Sequence, residues 1–171
     1  MNNTSKRHFI LQQGFGEPRP ENCPTQFAAL TFQPKIVALI LVLGIVFQSP
    51  WLFFALTASL WLGALLPRLN PYDALYRATV GTFRLTPAPA PRRFSQGMAG
   101  TFAVAIGACL SLGWNTPAYF LEGFFAIAVT ALSVGRLCFG SFIYHLLRGR
   151  TDFACRTLPW SRGMEGQVID K

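Results

Sequence analysis

The run IVALILVLGIVF (36–47), then QSP (48–50), then WLFFALTASLWLGALL (51–66), decides how this chain is read. Not one charged residue lies between Ile36 and Leu66. Two apolar segments joined by three residues form an antiparallel helical hairpin, and an uncharged hairpin of this kind belongs in lipid. A helix needs about 20 apolar residues to cross a hydrocarbon core of ~30 Å, so the first run is short as written. It extends backward through FAALTF (27–32), taking in Pro34 and Lys35. A helix kinked near Pro34 is expected, with the Lys35 amine reaching to the inner interface.

The pattern then recurs. FSQGMAGTFAVAIGACLSLGW (94–114) leads into NTP (115–117), and a fourth apolar run spans Tyr119 to about Cys138. Each connection is an amide, a hydroxyl and a proline, which suits a helix stop, a cap and a proline in the first turn of the next helix. Aromatic residues follow both turns, Trp51-Leu52-Phe53-Phe54 after one and Tyr119-Phe120 after the other, as in an outer interfacial belt. The expected fold is therefore an all-α membrane protein of four transmembrane helices in two tight hairpins. The spans lie at about 34–48, 50–66, 94–114 and 117–138, inside a membrane domain of 34–147. A polar N-terminal segment (1–33) and a basic C-terminal tail (148–171) flank it.

Charge sets the expected orientation. The chain of 171 residues is 51% hydrophobic but only 13% charged, whereas soluble domains carry about a quarter charged residues. All 15 Lys and Arg fall in the N-terminal part up to Lys35, the 67–93 loop or the region from Arg136 to Lys171, and none in either turn. The positive-inside rule then places both termini and the middle loop in the cytoplasm of a bacterial inner membrane. The net charge of +8 does not indicate nucleic acid, because the basic residues flank apolar runs and no binding motif accompanies them. No secretory-signal core is legible near Met1, so the first span is expected to direct insertion.

Lys35, Arg68, Arg93 and Arg136 fall near the inner ends of the four spans, an expected collar for lipid phosphates. In the middle loop, Asn70 and Pro71 open a short amphipathic helix over about 71–84. Its recurring face is Tyr72, Leu75, Tyr76, Val80 and Phe83, with Arg77 and Arg84 available to phosphates. The stretch PAPAP (87–91) reads as a stiff linker. Small residues at i, i+4, i+8 mark close helix contacts in lipid. Ala55, Ser59 and Gly63 make one such ladder, and Ala99, Ala103, Gly107 and Ser111 another. Together they predict that spans two and three meet along small faces.

Candidate chemistry is sparse. Cys109 and Cys138 differ in depth by roughly 24 Å at the helical rise, beyond disulfide reach. Cys138, Cys23 and Cys155 share the basic, reducing side and are the candidate thiols. His145 is a candidate single ligand for a pigment or haem, but a bridged haem would need a second facing histidine. Glu122, the one carboxylate within the apolar spans, lies about a turn below the outer surface and reads as a solvated interfacial group. Neither a nucleotide-binding loop nor a metal-ligand cluster is legible, and no cofactor is expected.

Several of these residues carry a resemblance. Asn70-Pro71 with Leu75-Tyr76-Arg77, then Pro91-Arg92-Arg93-Phe94-Ser95-Gln96 with Gly100, then Gly135 to Tyr144, resemble a bacterial membrane family of the DUF4395 type, a domain of unknown function. The resemblance runs from about Phe32 to Arg148. It implies a four-helix inner-membrane protein with a Pro-x-Arg-Phe-Ala-Gln type motif opening the third helix. It also implies a Cys-x-Gly-Cys type motif near the end of the fourth helix, suggestive of thiol or sulfur chemistry. Here that run is Cys138-Phe139-Gly140-Ser141, so a vicinal dithiol does not carry over.

These readings lead to a non-catalytic subunit or accessory protein of a larger inner-membrane complex, with lipids and other membrane subunits as partners and no nucleic acid. The alternatives are a cytoplasmic-face thiol or sulfur-handling enzyme, and an oligomeric small-solute channel or transporter.

Overall fold

The computed structural model describes residues 3–81, 85 and 87–161, with side chains from Ser5 onward. Regular structure among them is helical: α1 (Asn3–Gln12), α2 (Cys23–Phe47), α3 (Pro50–Leu65), a 3-10 turn (Pro67–Leu69), α4 (Pro71–Thr79), α5 (Ala90–Ser111), α6 (Asn115–Ser133), α7 (Phe139–Leu147) and α8 (Thr151–Arg156). Helices α2, α5 and α6 are each long and apolar enough to cross a membrane. Helix α3 is apolar but has 16 residues, about 24 Å at the helical rise.

One device ends four of these helices. At Gln48 the backbone turns left-handed (φ 45°), its N–H reaches Ile45 O, and the Ser49 N–H reaches Gly44 O. That is a Schellman cap, which satisfies the last carbonyls of a helix and reverses the chain. The same pair of bonds recurs around Gly14, Gly113 and Gly149, all with positive φ. The chain therefore passes from α5 to α6 at Leu112-Gly113-Trp114. Asn115-Thr116-Pro117, expected to be the connection, is instead the first turn of α6, where a proline removes an N–H that has no helical partner anyway.

Packing centres on α5, whose most extensive neighbour is α3. The expected meeting of spans two and three along small faces is replaced by large residues of α3 entering hollows on α5. Phe54 lies over Gly107 and Trp61 over Gly100, where an added Cβ would come within 2.9 Å and 2.4 Å of the ring. The Trp61 indole N–H donates to Gly97 O and the Thr57 hydroxyl to Gly100 O, each at 3.3 Å. The ladder on α3 does not face α5 as a unit. Ala55 is exposed, the Ser59 hydroxyl pairs with Tyr72, and Gly63 lies beneath Asn70 and Gln96. On α5, Ala103 is fully buried, Ala99 packs at the edge of the core, and Ser111 is exposed.

Other boundaries shift for local reasons. The polar N-terminal segment contains α1, whose Phe9, Ile10 and Leu11 are buried. Phe9 packs edge-on against Phe27 of α2. Helix α2 starts at Cys23, with Pro24 in its first turn, and runs on through Pro34. The fourth apolar run is broken after Ser133, where Arg136 adopts a left-handed conformation (φ 56°) and α7 begins after Cys138. Helix α4 turns Tyr72 and Tyr76 inward while Leu75 and Val80 stay exposed, so it packs on α2 and α3 rather than lying on lipid alone. Phe83 and Arg84, placed at its end by the sequence reading, lie outside the described residues.

Helix α7 approaches α5 at Gly140, where a Cβ would meet the Ser95 Cα at 2.7 Å. Backbone cannot step aside as a flexible side chain can. Gly140→Ala is expected to destabilise the fold by about 1–3 kcal/mol, read as a lowered melting temperature in detergent. Gly123→Ala, whose new methyl meets nothing within 4 Å, is expected to leave the melting temperature unchanged or raise it.

Candidate functional site

The first turns of α5 hold Pro91-Arg92-Arg93-Phe94-Ser95-Gln96 and serve three neighbours at once, because residues four apart share a face of a helix. Arg92 and Gln96 face α2 and α4. The Arg92 guanidinium is almost wholly buried and grips Asp73 of α4, with Nη2 donating to Oδ1 at 2.7 Å and Nη1 to Oδ2 at 3.3 Å. Gln33 of α2 completes the arrangement, its Oε1 accepting from Arg92 Nη2 at 3.2 Å and from Gln96 Nε2 at 2.8 Å. A buried ion pair of this kind requires further hydrogen bonds to offset desolvation; Gln33 supplies an acceptor to Arg92, and Gln96 donates to that same oxygen.

The second face meets α7. Ser95 Oγ donates to Pro91 O and lies 2.9 Å from Ser141 Oγ and 3.2 Å from Cys138 Sγ. Cys138 precedes α7, and its N–H donates to Gln12 Oε1 at 2.9 Å. Ser141 thus stands beside Cys138 across a shared serine. The third face carries Arg93, whose Nε donates to Ala64 O at 2.7 Å, satisfying a carbonyl in the last turn of α3.

A cavity of about 120 Å³ lies between α2, α5, α6 and α7, and Gln13, Gln33, Arg92, Ser95, Gln96 and Cys138 form its polar lining. Its walls are apolar, from Leu30 and Val37 to Phe102, Phe124, Phe125 and Val129.

The other sequence-derived residues are scattered. Lys35 and Arg68 are exposed. Arg136 instead bonds Ser5 at 2.7 Å and lies over the Phe27 ring. All four cysteines are free thiols; Cys23 is buried in the α1–α2 cluster and Cys155 is exposed on α8. Among the described residues no three His, Cys, Asp or Glu side chains gather as a metal-holding group. Glu122 is not solvated: it is buried and accepts from Gln48 Nε2 at 3.3 Å, because α6 packs on the C-terminal end of α2. Arg92, Asp73, Gln33 and Ser95 were not singled out as a site. The available signal was an arginine pair beside a helix start, which reads equally well as an interfacial anchor.

His145 is buried, not interfacial, with Nε2 3.1 Å from Gln12 O and its ring against Phe153. His8 is buried as well. Neither of its ring nitrogens meets a partner at hydrogen-bond geometry, although the Leu158 backbone favours its charged form weakly. Burial holds both imidazoles below the ordinary value of 6.5, reinforced by Arg7 near His8 and Arg150 near His145.

Two outcomes test this construction. Asp73→Asn leaves the buried guanidinium uncompensated and is expected to cost about 3–5 kcal/mol; adding Arg92→Met recovers a large part of that loss in thermal melts. For the histidines, a lowered folded pKa means that the unfolded chain binds protons first. The stabilising contribution is complete above about 6.5 and is lost as pH falls from there through the folded values. Protection factors in α1 and α7, corrected for the pH dependence of intrinsic amide exchange, should fall on acidification from pH 7, and replacing both histidines by Phe should flatten that dependence.

The family model described as "Domain of unknown function (DUF4395)" matches residues 27–149, a span that contains the Arg92 constellation, the cavity walls and Cys138. No curated protein and no solved structure matches the chain. The chain belongs to the family described as domain of unknown function DUF4395.

Proposed function

We propose that this protein is a non-catalytic subunit or accessory protein of a larger inner-membrane complex. In this reading α2, α3, α5 and α6 all cross the membrane as two hairpins, with both termini and the 67–93 loop in the cytoplasm. The reading rests chiefly on how the chain uses its polar groups. Arg92, Asp73, Gln33 and Gln96 bond to one another across α2, α4 and α5, and Arg93 and Arg136 bond to neighbouring elements. Their hydrogen bonds hold helices in place, whereas acid–base catalysis needs groups free to exchange protons with a substrate. The outer surface of α6 meanwhile carries exposed Phe120, Phe124 and Ile127, suited to lipid or to the helices of another subunit.

A second reading is thiol or sulfur handling at the cytoplasmic face, and one observation favours it: Cys138 Sγ borders the cavity beside two hydroxyls. Cys138→Ser would abolish persulfide labelling of the native protein if that reading holds, and would leave complex assembly intact if the first one does.

Gentle detergent extraction from the native membrane, followed by native mass spectrometry, should return the chain with at least one other membrane protein at fixed stoichiometry. A strictly monomeric chain with no co-purifying protein is incompatible with the proposal. The topology is checked separately with an impermeant maleimide. A cysteine introduced at Thr116 should react from outside intact cells, and Cys155 only after the membrane is opened.

A further inference from the structure

The cavity has one polar end that the chain itself does not satisfy. Gln13 follows α1 and is held there by the cap at Gly14, where an added Cβ would meet the Pro91 ring at 2.7 Å. Its side chain is more than nine-tenths buried and lines the cavity, yet its amide has no hydrogen-bond partner among the described residues. Its nitrogen and oxygen keep some accessible surface, so a bound group carrying oxygen can accept the hydrogen bond that the chain leaves unmade. Ser95 and Cys138 border the same space.

Charge narrows the class of ligand. Among the described residues the one cation lining the cavity, Arg92, is already neutralised by Asp73, so an anionic head finds no free counter-charge among them. Size narrows it further. A closed, dry cavity of 150 Å³ accepts one benzene ring; this one encloses about 120 Å³ and is open on one side, so it takes no more than one six-membered ring, whose substituents extend through the opening. The exit is apolar and lateral. Phe124 and Phe139 line the cavity while remaining 66% and 39% exposed, on the surface the apolar helices offer to lipid.

We propose that the cavity between α5, α6 and α7 is a lateral binding site for a neutral, single-ring quinone-type lipid. The ring oxygens accept from the Gln13 amide and the tail passes Phe124 into the bilayer. This inference stands apart from the subunit reading, since a subunit need not bind a quinone and a quinone-binding chain need not assemble.

The test uses the full chain in nanodiscs, titrated with decylubiquinone by calorimetry. Its fully substituted ring leaves no open position for addition of the Cys138 thiol. Saturable binding of one equivalent is expected. Gln13→Leu should weaken it about tenfold, the loss of roughly one good hydrogen bond. Ala128→Trp fills the cavity and should abolish binding; if that variant melts early, Ala99→Leu on the facing helix is expected to give at least a tenfold loss. Ile127→Trp, on the exposed side of α6, should bind normally. Monodecanoylglycerol, a neutral head on a similar tail without the ring, should not displace the quinone. Non-saturable uptake, binding unaffected by filling the cavity, or equal displacement by the acylglycerol would each overturn the proposal.

Discussion

A guanidinium buried among apolar helices cannot shed its charge, so the structure around Arg92 must answer it. Arginine stays protonated in proteins, which leaves a counter-ion and acceptors as the means of holding it. Asp73 supplies the charge and Gln33 the remaining acceptor. These partners come from α4 and α2, so the requirement fixes three elements that are distant in sequence. Helix α4 is brought in from the loop because its carboxylate is needed, and Tyr72 and Tyr76 are buried with it. A loop helix that might have floated on the membrane surface becomes part of the bundle.

The same short segment also sets the spacing of α3 and α7. Glycines at 100 and 107 keep one face of α5 low enough for Trp61 and Phe54. Gly140 lets α7 come against Ser95. In lipid the hydrophobic effect does little to bring helices together, so close packing and hydrogen bonds carry the association. Large residues set into glycine hollows give both, because the hollows expose the carbonyls that Thr57 and Trp61 use. The cavity is the space left between α5 and α6 below this contact, walled by Phe102 and Phe125, whose rings stack at 6.2 Å.

What was legible in the sequence follows from which signals are local. The long apolar runs and the Asn70-Pro71 helix start could be read directly, since hydropathy and capping depend on neighbours in the chain, whereas the 91–96 motif was visible only through the family resemblance. Gly113 and Gly149 also carried their caps openly, yet NTP (115–117) drew the turn three residues too late because proline punctuates helix starts as well as loops. Gln48 gave no such sign, for a left-handed glutamine is chosen by the surrounding contacts. The role of Arg92 was hidden for a different reason. Its partners lie 19 and 59 residues away, and an arginine beside a span looks the same whether it meets phosphate or a carboxylate. Ladders of small residues located α3 against α5 but misjudged the fit, because spacing on one helix does not reveal what the other inserts.

The placement of polar groups along the bundle bears on the channel alternative. Arg92 and Gln96 in the first turns of α5, Asp73 on α4, Gln33 on α2 and Cys138 before α7 all lie toward the end that carries the basic loops. At the other end stand Gln48 and Glu122, bonded to each other beneath the hairpin turns. Between the two lies the main core, with Leu41, Phe53, Leu56, Ala103 and Ile106 each 2% exposed or less. A solute path needs polar groups or water along its length, and a charge stranded in such a core would be costly. Within one copy of the chain, then, the polar chemistry is gathered at one end of an apolar plug. That arrangement suits a site entered from the lipid or from the basic face, and it is a poor start for a pore through the protein itself.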